Sequence, residues 1–460
     1  MLGWPFYWKA QKIMTTLSDL SEQLLNAAHK AGASQADALA IKGTSMEISV
    51  RAGALENADR SEGTDIGLRV IVGQKQACVS SSDTSTAAIT QMAERAVAMA
   101  SVAPDDEHVI QADPSQFAQN WDLDAFDMID PTPAPSADDL QQTALAVEAA
   151  TLAVNGVTQT QSAAAGFGAS ELFLATSQGF RGGYRRSSHS IYSVAIAGQG
   201  SDMQRDADGD SRVYRDDLRN IADIGTTAGQ RAVALMGARK PPTGSYPVMF
   251  DERIAASLVG HVLAAVNGAV ISRGGSWLRD KLGQCILPGT LSITERSHRP
   301  RSGSSRPFDG EGLPTRSRAI VQNGILQGWT LDLTHAHKLG MAPTGSAVRG
   351  TSAPPSPGTS NIELTQGDKS QADLLRDMGT GVLITGLIGA TINPNTGDYS
   401  RGASGFWVEN GEIQHPVNEF TIAGNLADMI RSMIPANDAR AYKATVVPSL
   451  LVSGLTIAGA

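Results

Sequence analysis

The sequence has 460 residues, of which 41% are hydrophobic and 18% are charged. This composition excludes an intrinsically disordered chain, and the length exceeds one ordinary hydrophobic core, which predicts two domains. The formal net charge of −9 argues against nonspecific nucleic-acid binding as the main activity. Two cysteines exclude a disulfide scaffold, and no apolar run reaches the ~20 residues of a membrane-spanning helix. We therefore expect a soluble cytoplasmic protein, without a membrane partner.

Residues 1–13 are interpreted as an N-terminal extension, because they are aromatic and basic but lack the apolar region and cleavage site of a signal peptide. A first domain is expected over residues 14–240, starting at Met14. Capping residues and apolar periodicity predict helices and strands within it. The helices are expected at 18–31, 84–99, 136–154 and 216–236, and the strands at 46–51, 67–72 and 171–197.

A domain boundary is predicted where Pro241, Pro242 and Gly244 forbid a continuing helix. The second domain, residues 241–460, is expected to be mostly β. An apolar helix is predicted at 254–263, and Asn323-Gly324 between two apolar runs predicts a β-hairpin.

The most informative stretch covers residues 393–413. Asn410-Gly411 between two strand-like runs predicts a hairpin with a type I′ turn. The preceding segment, punctuated by three glycines, is predicted to be a loop that carries Asp398, Arg401 and Ser404. Loops held by rigid hairpins often carry function, so these side chains are candidate substrate contacts; the alternative is an ordinary polar connection.

Two patterns that could bind metal favour structural roles. His335 and His337 would bring two imidazoles together on a strand, but no third ligand is evident nearby. The aspartates of residues 206–210 resemble a calcium loop, yet the glycine falls one place early, so a turn is expected. None of the eight histidines is followed by glutamate, which excludes a His-Glu-x-x-His metallopeptidase helix.

Two charged segments lie close together in the second domain. Residues 296–306 contain four arginines and are expected to form a solvated loop. Asp309 and Glu311 are a candidate carboxylate pair for substrate binding, with a network of turn hydrogen bonds as the alternative.

Residues 393–413 closely resemble the C-terminal signature of the TldD/PmbA family, cytoplasmic proteins described as modulators of DNA gyrase and as metallopeptidase subunits. Residues 306–314 and 67–70 also resemble the family, and the resemblance extends over essentially the whole chain from Leu17. It implies an α+β fold with two domains: an N-terminal α/β sandwich-like domain and a mostly antiparallel β C-terminal domain. It also implies a dimer with a central chamber.

The resemblance further implies which type of subunit this is. TldD-type subunits carry a His-Glu-x-x-x-His motif whose histidines bind zinc and whose glutamate is the general base. At the matching positions this chain has Ala256 and Ser257, and only Gly260 and His261 remain. The cysteine ligand of the catalytic subunits is also missing, because no cysteine follows Cys285. We therefore expect a TldE/PmbA-type subunit with no metal site or cofactor of its own, and zinc in a TldD-type partner.

Three functions remain open at this point. The first is a non-catalytic subunit of a zinc metallopeptidase that degrades or processes unfolded or leader peptides, with Arg401 available to a peptide carbonyl or carboxylate. The second is an active homodimeric hydrolase with unrecognised catalytic residues. The third is a regulatory binding protein, a modulator of DNA gyrase.

Overall fold

The computed structural model describes residues 16–460, so the predicted extension and the start at Met14 lie outside the described residues. The fold is α+β, as expected. In chain order, the elements of the N-terminal half are α1 (Leu17–Ala31), β1 (Gln35–Arg51), β2 (Ala54–Val72), β3 (Lys75–Ser81), α2 (Thr86–Val102), α3 (Leu123–Phe126), α4 (Ala137–Leu152), β4 (Val157–Thr176), β5 (Arg181–Ala197), β6 (Gln204–Arg212) and α5 (Ile221–Ala234).

The N-terminal strands form one antiparallel six-stranded sheet in the order β3-β2-β1-β4-β5-β6. The even-numbered residues of β1, such as Ala38 and Val50, face the helices α1, α2 and α4. The odd-numbered Leu39 packs on the opposite face with Phe308 from the C-terminal half. Since strand side chains alternate between faces, the sheet lies between helices and the second half of the chain.

Local signals explain the N-terminal helices. Thr16 and Asp19 form a capping box at the start of α1, and Gly32 ends it with φ of +102°. Ser136 caps α4 as predicted. The helix predicted over 216–236 instead begins at Ile221, because Asn220 caps it and residues 215–217 form a separate short turn.

In chain order, the elements of the C-terminal half are β7 (Gly244–Phe250), α6 (Glu252–Ala265), α7 (Gly268–Ser272), β8 (Ile293–Glu295), β9 (Arg318–Gln322), β10 (Ile325–Leu326), α8 (Leu333–Leu339), β11 (Ala347–Val348), β12 (Ser356–Pro357), β13 (Ile362–Leu364), α9 (Gln371–Met378), β14 (Gly381–Ile392), β15 (Asp398–Glu409), β16 (Glu412–Asn425), α10 (Leu426–Arg431), β17 (Ile434–Pro435), β18 (Thr445–Val446) and β19 (Leu450–Ala458). No helix of the described residues is both long and apolar enough to cross a membrane.

The main C-terminal sheet has the order β16-β15-β14-β7-β19-β17, and a further pairing of β16 with β19 closes it on itself. All of its pairings are antiparallel except that of β14 with β7. A second sheet has the order β10-β9-β8-β13-β18. Both predicted Asn-Gly hairpins are present: Asn410 and Gly411 have φ of +51° and +78°, as a type I′ turn requires, and Asn323 and Gly324 have +48° and +80°.

A buried ion pair joins the two halves. Asp37 on β1 accepts a 2.7 Å hydrogen bond from the Nε of Arg69 on β2, whose Nη2 lies 2.6 Å from the same carboxylate oxygen. Asp37 also pairs with Arg349 from the C-terminal half. All three side chains are at most 3% exposed. Burial acts to raise the pKa of Asp37, but the charges of Arg349 and Arg69 outweigh it and hold the pKa below its ordinary value.

Candidate functional site

Helix α6 carries the four positions that match the zinc motif. It follows β7 directly, and Asp251 caps it by accepting a hydrogen bond from the backbone N–H of Arg253. Its core face is fully buried, with Ala255, Leu258, Val259 and Val262 all at 0% exposure. The motif positions Ala256, Ser257, Gly260 and His261 occupy the less buried side, where Ser257 and His261 lie one turn apart.

Of the side chains at these four positions, the imidazole of His261 is the one suited to bind a metal ion. The Ser257 hydroxyl donates a 2.6 Å hydrogen bond to the carbonyl of Ile254 within its own helix. The methyl group of Ala256 cannot bind a metal ion. Across residues 16–460, no group of three or more His, Cys, Asp and Glu side chains is placed to share a metal ion.

His261 packs against Tyr399 of β15, a residue that sequence reasoning did not select. The two rings are T-shaped, with centroids 5.8 Å apart. Within the described chain, the Nε2 of His261 and the hydroxyl of Tyr399 are both buried and without hydrogen-bond partners. Burial, assisted by the charge of Arg401, lowers the pKa of His261, and burial raises that of Tyr399 to about 12. Both side chains are therefore neutral near pH 7.

The signature segment is a strand where a loop was predicted. The loop extends only over residues 393–397, and β15 includes Asp398, Arg401 and Ser404. The glycines did not break the strand, because β14 and β16 pair with it on both sides. Residues two apart on a strand share a face, so a strand prediction would have grouped Tyr399 with Arg401.

The predicted contact residues of β15 are not brought together. Tyr399, Ala403 and Trp407 are buried and alternate with more exposed positions, which places Arg401 on their face and Asp398 and Ser404 on the opposite one. The Nε of Arg401 donates a 2.6 Å hydrogen bond to the carbonyl of Gly389. Asp398 accepts hydrogen bonds from Thr396 and Asn425. Their substrate-binding roles stay predictions.

Asp309 and Glu311 form a buried network of the kind expected for a turn. Asp309 accepts hydrogen bonds from the backbone N–H groups of Glu311, Leu313 and Ala347, at 2.9 to 3.1 Å. Glu311 accepts one from Leu333, while its other oxygen is buried without a partner among the described residues. Burial raises the pKa of Asp309 to about 6, and burial next to Asp309 and Asp332 raises the pKa of Glu311 well above its ordinary value.

This raised pKa predicts a pH-dependent effect of Glu311→Gln. As pH rises above the ordinary glutamate pKa, the unfolded chain ionises at this position while the folded protein holds the proton, so wild-type stability falls. Glutamine does not titrate. The variant should therefore gain stability relative to wild type between pH 5 and pH 8, by about 1 kcal/mol or more. Urea unfolding at both pH values measures this.

The exposed Glu171 of β4 provides the control, since Glu171→Gln makes the same replacement at a side chain in contact with solvent. An effect of Glu311→Gln that is independent of pH would contradict the raised pKa.

Three other predictions need correction. His335 and His337 lie on helix α8, capped by Asp332, and they contact different partners, Asp332 and His108. Residues 206–210 belong to strand β6 instead of a turn, because they pair with β5. The arginine-rich loop 296–306 is solvated only in part, since Arg296 and Arg301 are exposed but Arg306 is 8% exposed.

The chain is similar to known proteins over nearly all of its described length. Residues 36–100 match the PmbA/TldA metallopeptidase domain 1, residues 130–236 the central domain, and residues 243–459 the C-terminal domain. The chain is 34% identical to the metalloprotease PmbA of Escherichia coli O157:H7 over 419 residues, which cover 91% of each protein. It is 34% identical to the metalloprotease PmbA homolog of Haemophilus influenzae over 440 residues, 94% of each.

Two solved structures share the fold. One is a candidate modulator of DNA gyrase from Bacteroides thetaiotaomicron, with a TM-score of 0.89 and 25% identity over 97% of this chain and 100% of that one. The other is TldE from Thermococcus kodakarensis, with a TM-score of 0.83 over 96% of this chain and 100% of that one; at 21% identity it supports the fold alone.

Proposed function

This chain belongs to the PmbA/TldD metallopeptidase family, and we propose that within it the chain is a TldE/PmbA-type subunit that has no zinc site of its own. A TldD-type partner supplies zinc and the general base. The complex acts in the cytoplasm on unfolded or leader peptides, and this chain contributes to the wall of the chamber in which they are cleaved.

The observation that carries this proposal is the chemistry of α6. Peptide hydrolysis at zinc needs several protein ligands, an open coordination position and a carboxylate beside the bound water. Here Ser257 is hydrogen-bonded to its own helix, and His261 is the one imidazole at the motif. Restoring a single position would not rebuild such a centre, because the remaining ligands would still be lacking.

Zinc content and hydrolysis test the proposal together. The purified chain is expected to hold substoichiometric zinc and to leave an unfolded peptide intact, and a TldD-type partner is expected to restore cleavage. Metal analysis and a peptide-cleavage assay of each protein alone and of the mixture measure this. Stoichiometric zinc in the isolated chain, or cleavage without a partner, would support the active hydrolase instead. Association with gyrase and none with a peptidase subunit would support the regulatory protein.

Two variants of this chain locate its contribution within the assembled complex. Arg401→Ala should lower kcat/KM about tenfold if the guanidinium binds a peptide carbonyl or carboxylate, since hydrogen bonds to charged groups contribute about 1.5–3 kcal/mol. Ser257→Ala is the control and should leave the rate unchanged, because its hydroxyl is already bound to the helix backbone. An unchanged rate for Arg401→Ala would remove the proposed role of Arg401.

A further inference from the structure

A cavity of about 320 Å³ lies at the junction of the two halves, beneath the N-terminal sheet. Leu39 and Tyr184 of the sheet line one side, and Phe308 lines the other. Three arginines also line it: Arg186 from β5, Arg306 from the loop before Phe308, and Arg349 after β11. The 303–304 segment, where Gly303 is exposed, borders the cavity and gives it access to solvent.

Each of these arginines has N–H groups without an acceptor. Arg306 is 8% exposed and donates to the carbonyls of Ala347 and Gly358, which leaves its Nε buried and unpartnered within residues 16–460. The side chain of Arg349 is 3% exposed, and both its Nε and its Nη2 are unpartnered in the same part of the chain. Arg186 donates one hydrogen bond to Gly303, and its Nε has no partner there. Buried N–H groups of native proteins are nearly always satisfied, so four such atoms around one cavity point to a missing acceptor.

The charges around the cavity are also unbalanced. In the described part of the chain, neither Arg186 nor Arg306 forms an ion pair, and Arg349 shares its partner Asp37 with Arg69. Asp309 is the acidic residue of the lining; its charge interacts with that of Arg306, but its oxygens are occupied by three backbone N–H groups, and one carboxylate faces three guanidinium groups. A buried cation is costly unless a negative charge compensates it.

We propose that this cavity binds a small oxyanion, a carboxylate or phosphate group, between Arg186, Arg306 and Arg349. Guanidinium groups present parallel N–H donors that match the two oxygens of such a group, and these hydrogen bonds are short and strong because both partners are charged. The two backbone carbonyls that hold Arg306 fix its guanidinium before the ligand arrives. The volume suits a small molecule or the end group of a larger one. The site needs neither zinc nor a partner subunit, so it stands apart from the proposed peptidase role.

Thermal unfolding of the full chain tests the site. Sodium phosphate, compared with sodium chloride at equal ionic strength, should raise the unfolding temperature in a saturable manner. A short peptide with a free terminal carboxylate, compared with its amidated form, tests the carboxylate source. If phosphate stabilises the protein and the free-acid peptide does not, the site binds phosphate. If the free-acid peptide does so and phosphate does not, the site binds a carboxylate. Stabilisation by neither would overturn the proposal.

Substitutions of the arginines that line the cavity test whether the ligand binds there. Arg186→Gln removes one hydrogen bond of the folded protein and should weaken ligand binding about tenfold or more, as measured by calorimetry. Arg185→Gln, at the exposed neighbouring position of β5, is the matched control and should bind as wild type does. Arg306→Lys keeps the charge but loses the free Nε–H donor and the two hydrogen bonds that fix the side chain, and it should also bind more weakly. Equal affinities for wild type and both cavity variants would contradict the assignment.

Discussion

Replacing Gly405 by alanine is expected to destabilise the C-terminal half severely. Gly405 lies in β15 at a bulge opposite β14, and a Cβ atom there would lie 2.0 Å from the carbonyl oxygen of Leu383 and 2.9 Å from the Cα of Ile384. Both contacts are with backbone, so no side-chain rotation can relieve them. We expect a cost of about 3 kcal/mol or more, a drop of roughly 6–12 °C in unfolding temperature, as measured by calorimetry.

Gly402 on the same strand provides a matched control. A Cβ atom there would meet Ile388 at 3.5 Å, an ordinary van der Waals distance, and neither glycine requires a positive φ. Gly402→Ala should therefore remain within about 1 kcal/mol of wild type, since its extended backbone suits alanine. Equal effects of the two substitutions would show that β14 and β15 can separate at the bulge. The signature glycine would then have another role.

Features with a local cause could be predicted from the sequence. The two Asn-Gly turns need positive φ at both central residues, and Ser136 satisfies N–H groups that any helix start leaves free. Helix α6 follows from its apolar repeat. The overall α+β class and the family follow from the signature segments, which the whole-length similarity confirms.

Features with a distant cause could not be predicted. Residues 54–65 of β2 are polar and largely exposed, and they become strand because β1 pairs with them. The burial of Arg306 depends on Ala347 and Gly358, which are far along the chain. His261 and Tyr399 are in contact because α6 packs against β15, and no local sequence pattern indicates that packing.

Replacing Asp37 by asparagine is expected to have the second large effect, because one carboxylate compensates two buried guanidinium groups. Its partners lie 32 and 312 residues away in the chain, so the pair joins β1 both to its neighbour in the sheet and to the C-terminal half. Asparagine is nearly isosteric but carries no charge, and Arg69 and Arg349 would remain buried without compensation. Breaking such a buried pair costs about 3–5 kcal/mol, which urea unfolding of the purified chain would measure.

A surface pair on the same sheet separates this effect from a general loss of charge. Arg60 and Glu62 of β2 form an exposed ion pair at 3.5 Å, and Glu62→Gln should cost less than about 1 kcal/mol. If Asp37→Asn were no more destabilising than Glu62→Gln, the two arginines would have to find other acceptors. A double-mutant cycle gives the sharper test: Asp37→Asn should cost less when Arg349 is already methionine, since one of the two uncompensated charges is then absent. Strictly additive costs would mean that the two halves of the chain are not coupled through Asp37.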